Sequence, residues 1–144
     1  MSSLFKAFSQ TQNRAMVYAV QFPLTNPTVE LTVNRIPRPI DNAADIAATG
    51  TMNEIHFPKD SPSYDSERWA WKAYHLVPYI VDHTTDWKSL VEGEEAPKFS
   101  RAELEKIVAE FGVEDRKILG VCYLSEVAKD LKKATGEASS EQAS

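Results

Sequence analysis

The chain has 144 residues, 42% of them hydrophobic and 26% charged, with a formal net charge of −5. That is enough for one globular domain, which would bury about two-thirds of the surface its unfolded chain exposes. Its lysines and arginines are scattered among acids, which argues against a nucleic-acid backbone reader, and no apolar run nears the roughly 18 residues of a membrane span.

Residues 3–14 place Leu4, Phe5, Ala7 and Phe8 in what could be one helical turn, after which the spacing fails, so this segment is left unassigned. The start carries no apolar core of a signal peptide, and the lone Cys122 can make neither an internal disulfide nor a thiolate zinc site by itself. Both features predict a cytosolic protein.

Residues 16–22, "MVYAVQF", put Met16, Tyr18, Val20 and Phe22 on one face of a strand. Residues 28–34, "TVELTVN", alternate strictly, with Val29, Leu31 and Val33 facing inward. "PLTNP" between them suits a hairpin connection, because Pro23 and Pro27 cannot donate to a ladder. Ile36 and Arg38 each precede a proline, which predicts an extended stretch. Asp41 could then cap a short helix ending at Gly50, and "NEIHF" over 53–57 reads as a third strand.

Asp65 or Ser66 would cap the next helix, over 67–77. Its core stripe is Trp69, Ala73, Leu76, Val77 and Ile80, with Pro78 ending or kinking it. Residues 82–98 read as a polar, acidic loop. Ser100 with Glu103 three residues on forms a capping box for a helix whose stripe is Leu104, Ile107, Val108 and Phe111, closed by Gly112 at C′. A last helix over about 114–134 carries Ile118, Val121, Leu124, Val127 or Ala128, and Leu131. The expected architecture is α+β: a small N-terminal antiparallel sheet or hairpin, then three helices, the last two as a helical hairpin. Residues 1–135 form a single domain, and 136–144, "GEASSEQAS", have no large apolar side chain and read as a disordered tail.

The densest cluster of chemically capable side chains is "RWAWKAYHLVPYIVDHTTDW", residues 68–87. His75 and His83 lie eight apart with Asp82 and Asp86 close by, but Pro78 breaks the register and no His-x-x-x-His spacing exists. No metal site is predicted. Ser61, Ser63 and Ser66 lack a nucleophile elbow, the five glycines form no phosphate loop, and Cys122 falls mid-helix, where thiols are inert. Neither a catalytic group nor a cofactor site emerges, so an enzyme is not expected. What remains is an aromatic surplus. Trp71, Tyr74 and His75 share a helix side opposite Trp69, which predicts either a second packing layer or a partner-binding surface.

The segment "DWKSLVEGEEAPKFSRAELEKIV", residues 86–108, resembles the tail assembly chaperones of long-tailed bacteriophages. The shared features are Asp86 and Trp87 after a helix, the acidic "EGE" of 92–94, Pro97, Phe99 with Ser100, Leu104, and a final helix. The physical content of the pattern is that Trp87 and Phe99 can close the acidic turn on each other. The resemblance covers 68–134, and the chain departs from it in "DHTTDW" and in the proline inside the helix. It implies a non-enzymatic protein of the host cell cytoplasm that binds the phage tape measure protein and helps recruit tail tube subunits. It also implies absence from the finished virion, and often a longer frameshifted form, for which Lys132–Lys133 would be a suitable place. Partner binding would fall to Trp71, Tyr74, His75 and Trp87, with self-association left open and no part for nucleic acid or membrane. The alternative is a minor virion component, such as a head–tail connector or tail completion protein.

Overall fold

The computed structural model describes residues 14–135. The readings of 3–13 and of the tail 136–144 lie outside these residues. Strands β1 (Val17–Phe22) and β2 (Val29–Asn34) pair antiparallel, with Val20 opposite Leu31 and Tyr18 opposite Val33. Tyr18, Val20, Leu31 and Val33 are buried, as the alternation requires. Met16 stands just before β1 and is 67% exposed.

The third strand is not at 53–57. The helix that begins after Pro37 does not stop at Gly50 but runs to Glu54, as α1 (Arg38–Glu54), with Pro39 in its first turn. It buries Ala44, Ala48 and Met52, a spacing of four that keeps one face inward. Gly50 lies on its open side, with nothing within 4 Å of an added Cβ, so it interrupts no contact. His56 then takes φ 55° and turns the chain away from any extended path.

Helix α2 (Tyr64–His83) continues through Pro78 rather than ending at residue 77, the other outcome expected of that proline being a kink. Pro78 and Tyr79 are exposed, so the bond that proline cannot make is missing on the side facing solvent, where its carbonyl partner can be hydrated. Ser63, rather than Asp65 or Ser66, stands at the N-cap, without a side-chain cap bond. Without a loop, β3 (Thr84–Ser89) follows, cut from the segment read as polar loop. It pairs antiparallel with β2, Trp87 opposite Leu31, giving the order β1-β2-β3. Only Trp87 supplies an apolar inward side chain, while Lys88 reaches Glu30 across the outer face at 3.2 Å. The hydroxyl of buried Thr84 donates to the Ile80 carbonyl at 2.7 Å, fastening strand to helix.

Helix α3 (Arg101–Ala109) is capped by Ser100, whose Oγ accepts from Glu103 N–H at 3.3 Å. Gly112 does not close α3. Its carbonyl accepts from Arg116 N–H at 3.1 Å and so opens α4 (Val113–Thr135). The described residues thus hold an α+β arrangement of one antiparallel sheet and four helices, with α3 and α4 meeting through Leu104, Val108 and Leu119. None of these helices is long and apolar enough to cross a membrane.

The buried face of α4 is Leu119, Gly120, Cys122, Tyr123 and Leu124, turned from the expected stripe; Ile118 and Val121 are half-buried and Leu131 is exposed. Gly120 decides this rotation. It lies against the Ala73 backbone of α2, where a Cβ would overlap the Ala73 carbonyl. At its far end α4 holds β1 through Asp130, whose carboxylate accepts from Ala15 N–H at 3.0 Å and from the Tyr18 hydroxyl at 2.8 Å. On the other side of α2, α1 is laced by Asp45 to Arg68 at 2.9 Å and by Asp41 to Lys72 at 3.0 Å.

Two outcomes follow from this packing. Gly120→Ala should cost about 3 kcal/mol, the upper end for an overpacked site, because backbone must move to admit the methyl group; urea unfolding of the variant measures it, and a loss near zero would refute the close approach. Burial, helped by Asp130, pushes the Tyr18 phenol up to about 12. The folded value exceeds the unfolded value near 10, so this contribution is complete below about pH 10 and fades as pH rises toward about 12. Stability measured between about pH 10 and 12 should fall more steeply in the native chain than in Tyr18→Phe.

Candidate functional site

The aromatic surplus on α2 is half-buried against the chain's own side chains. Trp71 and Tyr74 meet edge-on at 5.4 Å, and Tyr74 meets His75 the same way at 5.4 Å. Lys117 of α4 sets its ammonium 4.0 Å from the centre of the Trp71 ring, a cation–π contact. The Trp71 Nε1–H is buried and has no hydrogen-bond partner among the described residues. His75 Nε2 lies 2.8 Å from Thr51 Oγ1 of α1. Its burial lowers the imidazole pKa below the usual value, against the opposing charge of Glu54. Trp71 therefore faces α4 and His75 faces α1, with Tyr74 between them on α2. Trp69, assigned by its spacing to the core, is 39% exposed. It stands one helical turn ahead of Ala73, the first buried residue of α2, so the covered face begins after it.

His83 Nδ1 lies 2.7 Å from its own helix at the Tyr79 carbonyl, so the two histidines face different neighbours. Among the described residues no group of three or more His, Cys, Asp or Glu is placed to hold a metal ion. Burial pushes the Cys122 thiol up to about 11, far from the range of a thiolate nucleophile.

Trp87 is placed differently. Its ring meets Phe99 edge-on at 5.2 Å, and its Nε1–H donates to the Pro97 carbonyl at 2.6 Å. Together these close the acidic turn. Leu90 N–H donates to Thr28 at 2.9 Å, Glu94 N–H to Val91 at 3.1 Å, and Gly93 takes φ 78°, which suits glycine. Glu92, Glu94 and Glu95 are all exposed on this turn. On its inward side Trp87 lines an apolar groove of about 280 Å³ between the sheet and α3. Phe22 and Leu31 form one wall, and Ile107 and Phe111 the other, with Phe22 and Phe111 stacked at 5.5 Å. Ile107 is 48% exposed at the groove.

Of the four residues read as partner-binding, then, Trp71, Tyr74 and His75 contact the chain's own helices, and Trp87 borders an open apolar groove beside an acidic turn. Sequence reasoning missed Phe22, Leu31 and Phe111 as groove residues. Each was legible as an inward-facing residue, but the gap between them comes from pairing β3 with β2, and β3 was not recognised. Comparison of the chain with protein-family models, with curated proteins and with solved structures finds no match.

The geometry ranks the two tryptophans, with half-buried Trp71 above the more exposed Trp69. Trp71→Ala should cost about 2–4 kcal/mol, near the range for a packed aromatic, and Trp69→Ala clearly less. Parallel urea titrations of both variants check the order; a larger loss for Trp69 would overturn it.

Proposed function

We propose that this protein is a binding protein rather than an enzyme, and that it acts as a phage tail assembly chaperone. In this reading it holds an apolar helical segment of the tape measure protein in the groove beside Trp87 and helps recruit tail tube subunits. The observation that carries the reading is the groove itself: apolar walls from the sheet and α3, next to an acidic turn closed by Trp87 on Phe99. Such a groove accepts the apolar stripe of an amphipathic helix, while the glutamates at 92, 94 and 95 meet basic residues along its edge. The resemblance of residues 86–108 to tail assembly chaperones supplies the identity of the partner.

Co-expression with the tape measure gene of the parent phage tests this. The tape measure product should be soluble and co-purify with the native chain, and Ile107→Asp should abolish co-purification while leaving the melting temperature nearly unchanged. A tape measure product equally soluble without this protein would refute the reading. So would the chain's presence in purified virions at stoichiometric amount, which would favour a minor structural component.

A further inference from the structure

Where β2 gives way to α1, the extended segment at 35–37 borders a cleft of about 430 Å³. Three arginines line it: Arg14, Arg35 and Arg38. Arg14 lies 3.8 Å from Asp130, and its Nε is buried without a hydrogen-bond partner among the described residues. Arg35 and Arg38 have no ion-pair partner among the described residues. Asp41 also faces the cleft, but its carboxylate is held by Lys72 at 3.0 Å. The cleft is thus a local excess of positive charge on a chain of net charge −5.

Tyr123 makes the floor more specific. It is 2% exposed, and its hydroxyl oxygen accepts from Ile36 N–H at 2.9 Å. Burial raises its pKa, so the phenol keeps its proton, and among the described residues no acceptor takes it. A buried hydroxyl with a spare proton therefore joins two unpaired guanidinium groups in one cleft. Helix α1 starts beside it without a side-chain cap, adding the positive end of its dipole. A carboxylate offers two oxygens and one charge. A phosphate offers three oxygens and nearly two charges, which better matches forked guanidinium donors plus a hydroxyl. The cleft is larger than a bare phosphate, and Pro37 and Val127 give it an apolar wall.

We propose that this cleft binds a phosphate monoester. Arg35 and Arg38 hold the phosphoryl oxygens, Tyr123 donates its hydroxyl proton to one of them, and the organic group lies on Pro37 and Val127. The test is a titration of the full chain, followed by amide NMR at constant ionic strength, with phenyl phosphate, inorganic phosphate and sulfate as probes. Phenyl phosphate should give saturable shifts confined to residues 35–42 and the neighbourhood of Tyr123, and should bind more tightly than inorganic phosphate. Arg35→Gln and Arg38→Gln should each weaken it about tenfold while leaving the melting temperature nearly unchanged, as both side chains reach solvent. Shifts that sodium chloride reproduces, or affinity unchanged in both variants, would overturn the proposal. Equal, weak binding of all three probes would mean an adventitious ion only, and would overturn it too. Ile107→Asp should leave this binding intact, so its outcome is separate from that of the tail-assembly reading.

Discussion

The contact between the Ala73 backbone and Gly120 sets the rest of the structure. Two long helices come so close there that one of them can carry no side chain at the crossing. Once that point is fixed, the 3.6-residue period places everything else on α4. Lys117 comes over Trp71, Leu119 and Tyr123 turn inward, and Asp130 arrives at Ala15 and Tyr18. The sheet is thus positioned against the helices through α4, and α1 through the ion pairs of α2. A bulkier residue at the crossing would shift both sets together.

What the sequence reveals depends on whether a pattern is local. β1 and β2 alternate, and Ser100 caps α3, so their faces could be read directly. The Trp87–Phe99 closure was legible for the same reason, since both residues flank one short turn. β3 was not legible because five of its six residues are polar or charged; it is a strand because β2 needs a partner, not because of its own composition. "NEIHF" shows the converse. Its composition suits a strand, but no neighbouring strand is available, and the end of α1 claims its first two residues. The tryptophans illustrate a further limit. Trp69 and Trp71 are two positions apart on opposite sides of α2, and only the placement of α4 decides which is covered.

Both concave surfaces share α4 as a wall, the apolar groove through Leu119 and the arginine cleft through Tyr123 and Val127. Their characters are opposite. One is lined by aliphatic and aromatic side chains beside exposed glutamates, the other by guanidinium groups over a buried hydroxyl. The groove could not be seen in the sequence because its walls come from β1, β2, β3, α3 and α4. The cleft left a fainter trace, the pair Arg35 and Arg38 on either side of Ile36–Pro37, which reads as an ordinary extended linker until Tyr123 is placed beneath it.

The lateness of β3 has a consequence for the order in which the chain can assemble. β1 and β2 are adjacent in sequence and can close as a hairpin early, but the strand that completes β2 lies beyond both α1 and α2. During synthesis the free edge of β2 is exposed until about fifty further residues have been made and α2 has brought Thr84 into place. An unpaired, flat edge is an invitation to another strand. The polar, charged make-up of β3, poor as a strand signal, leaves the completed sheet with a final edge that carries Asp86 and Lys88 and so discourages the same encounter between finished molecules.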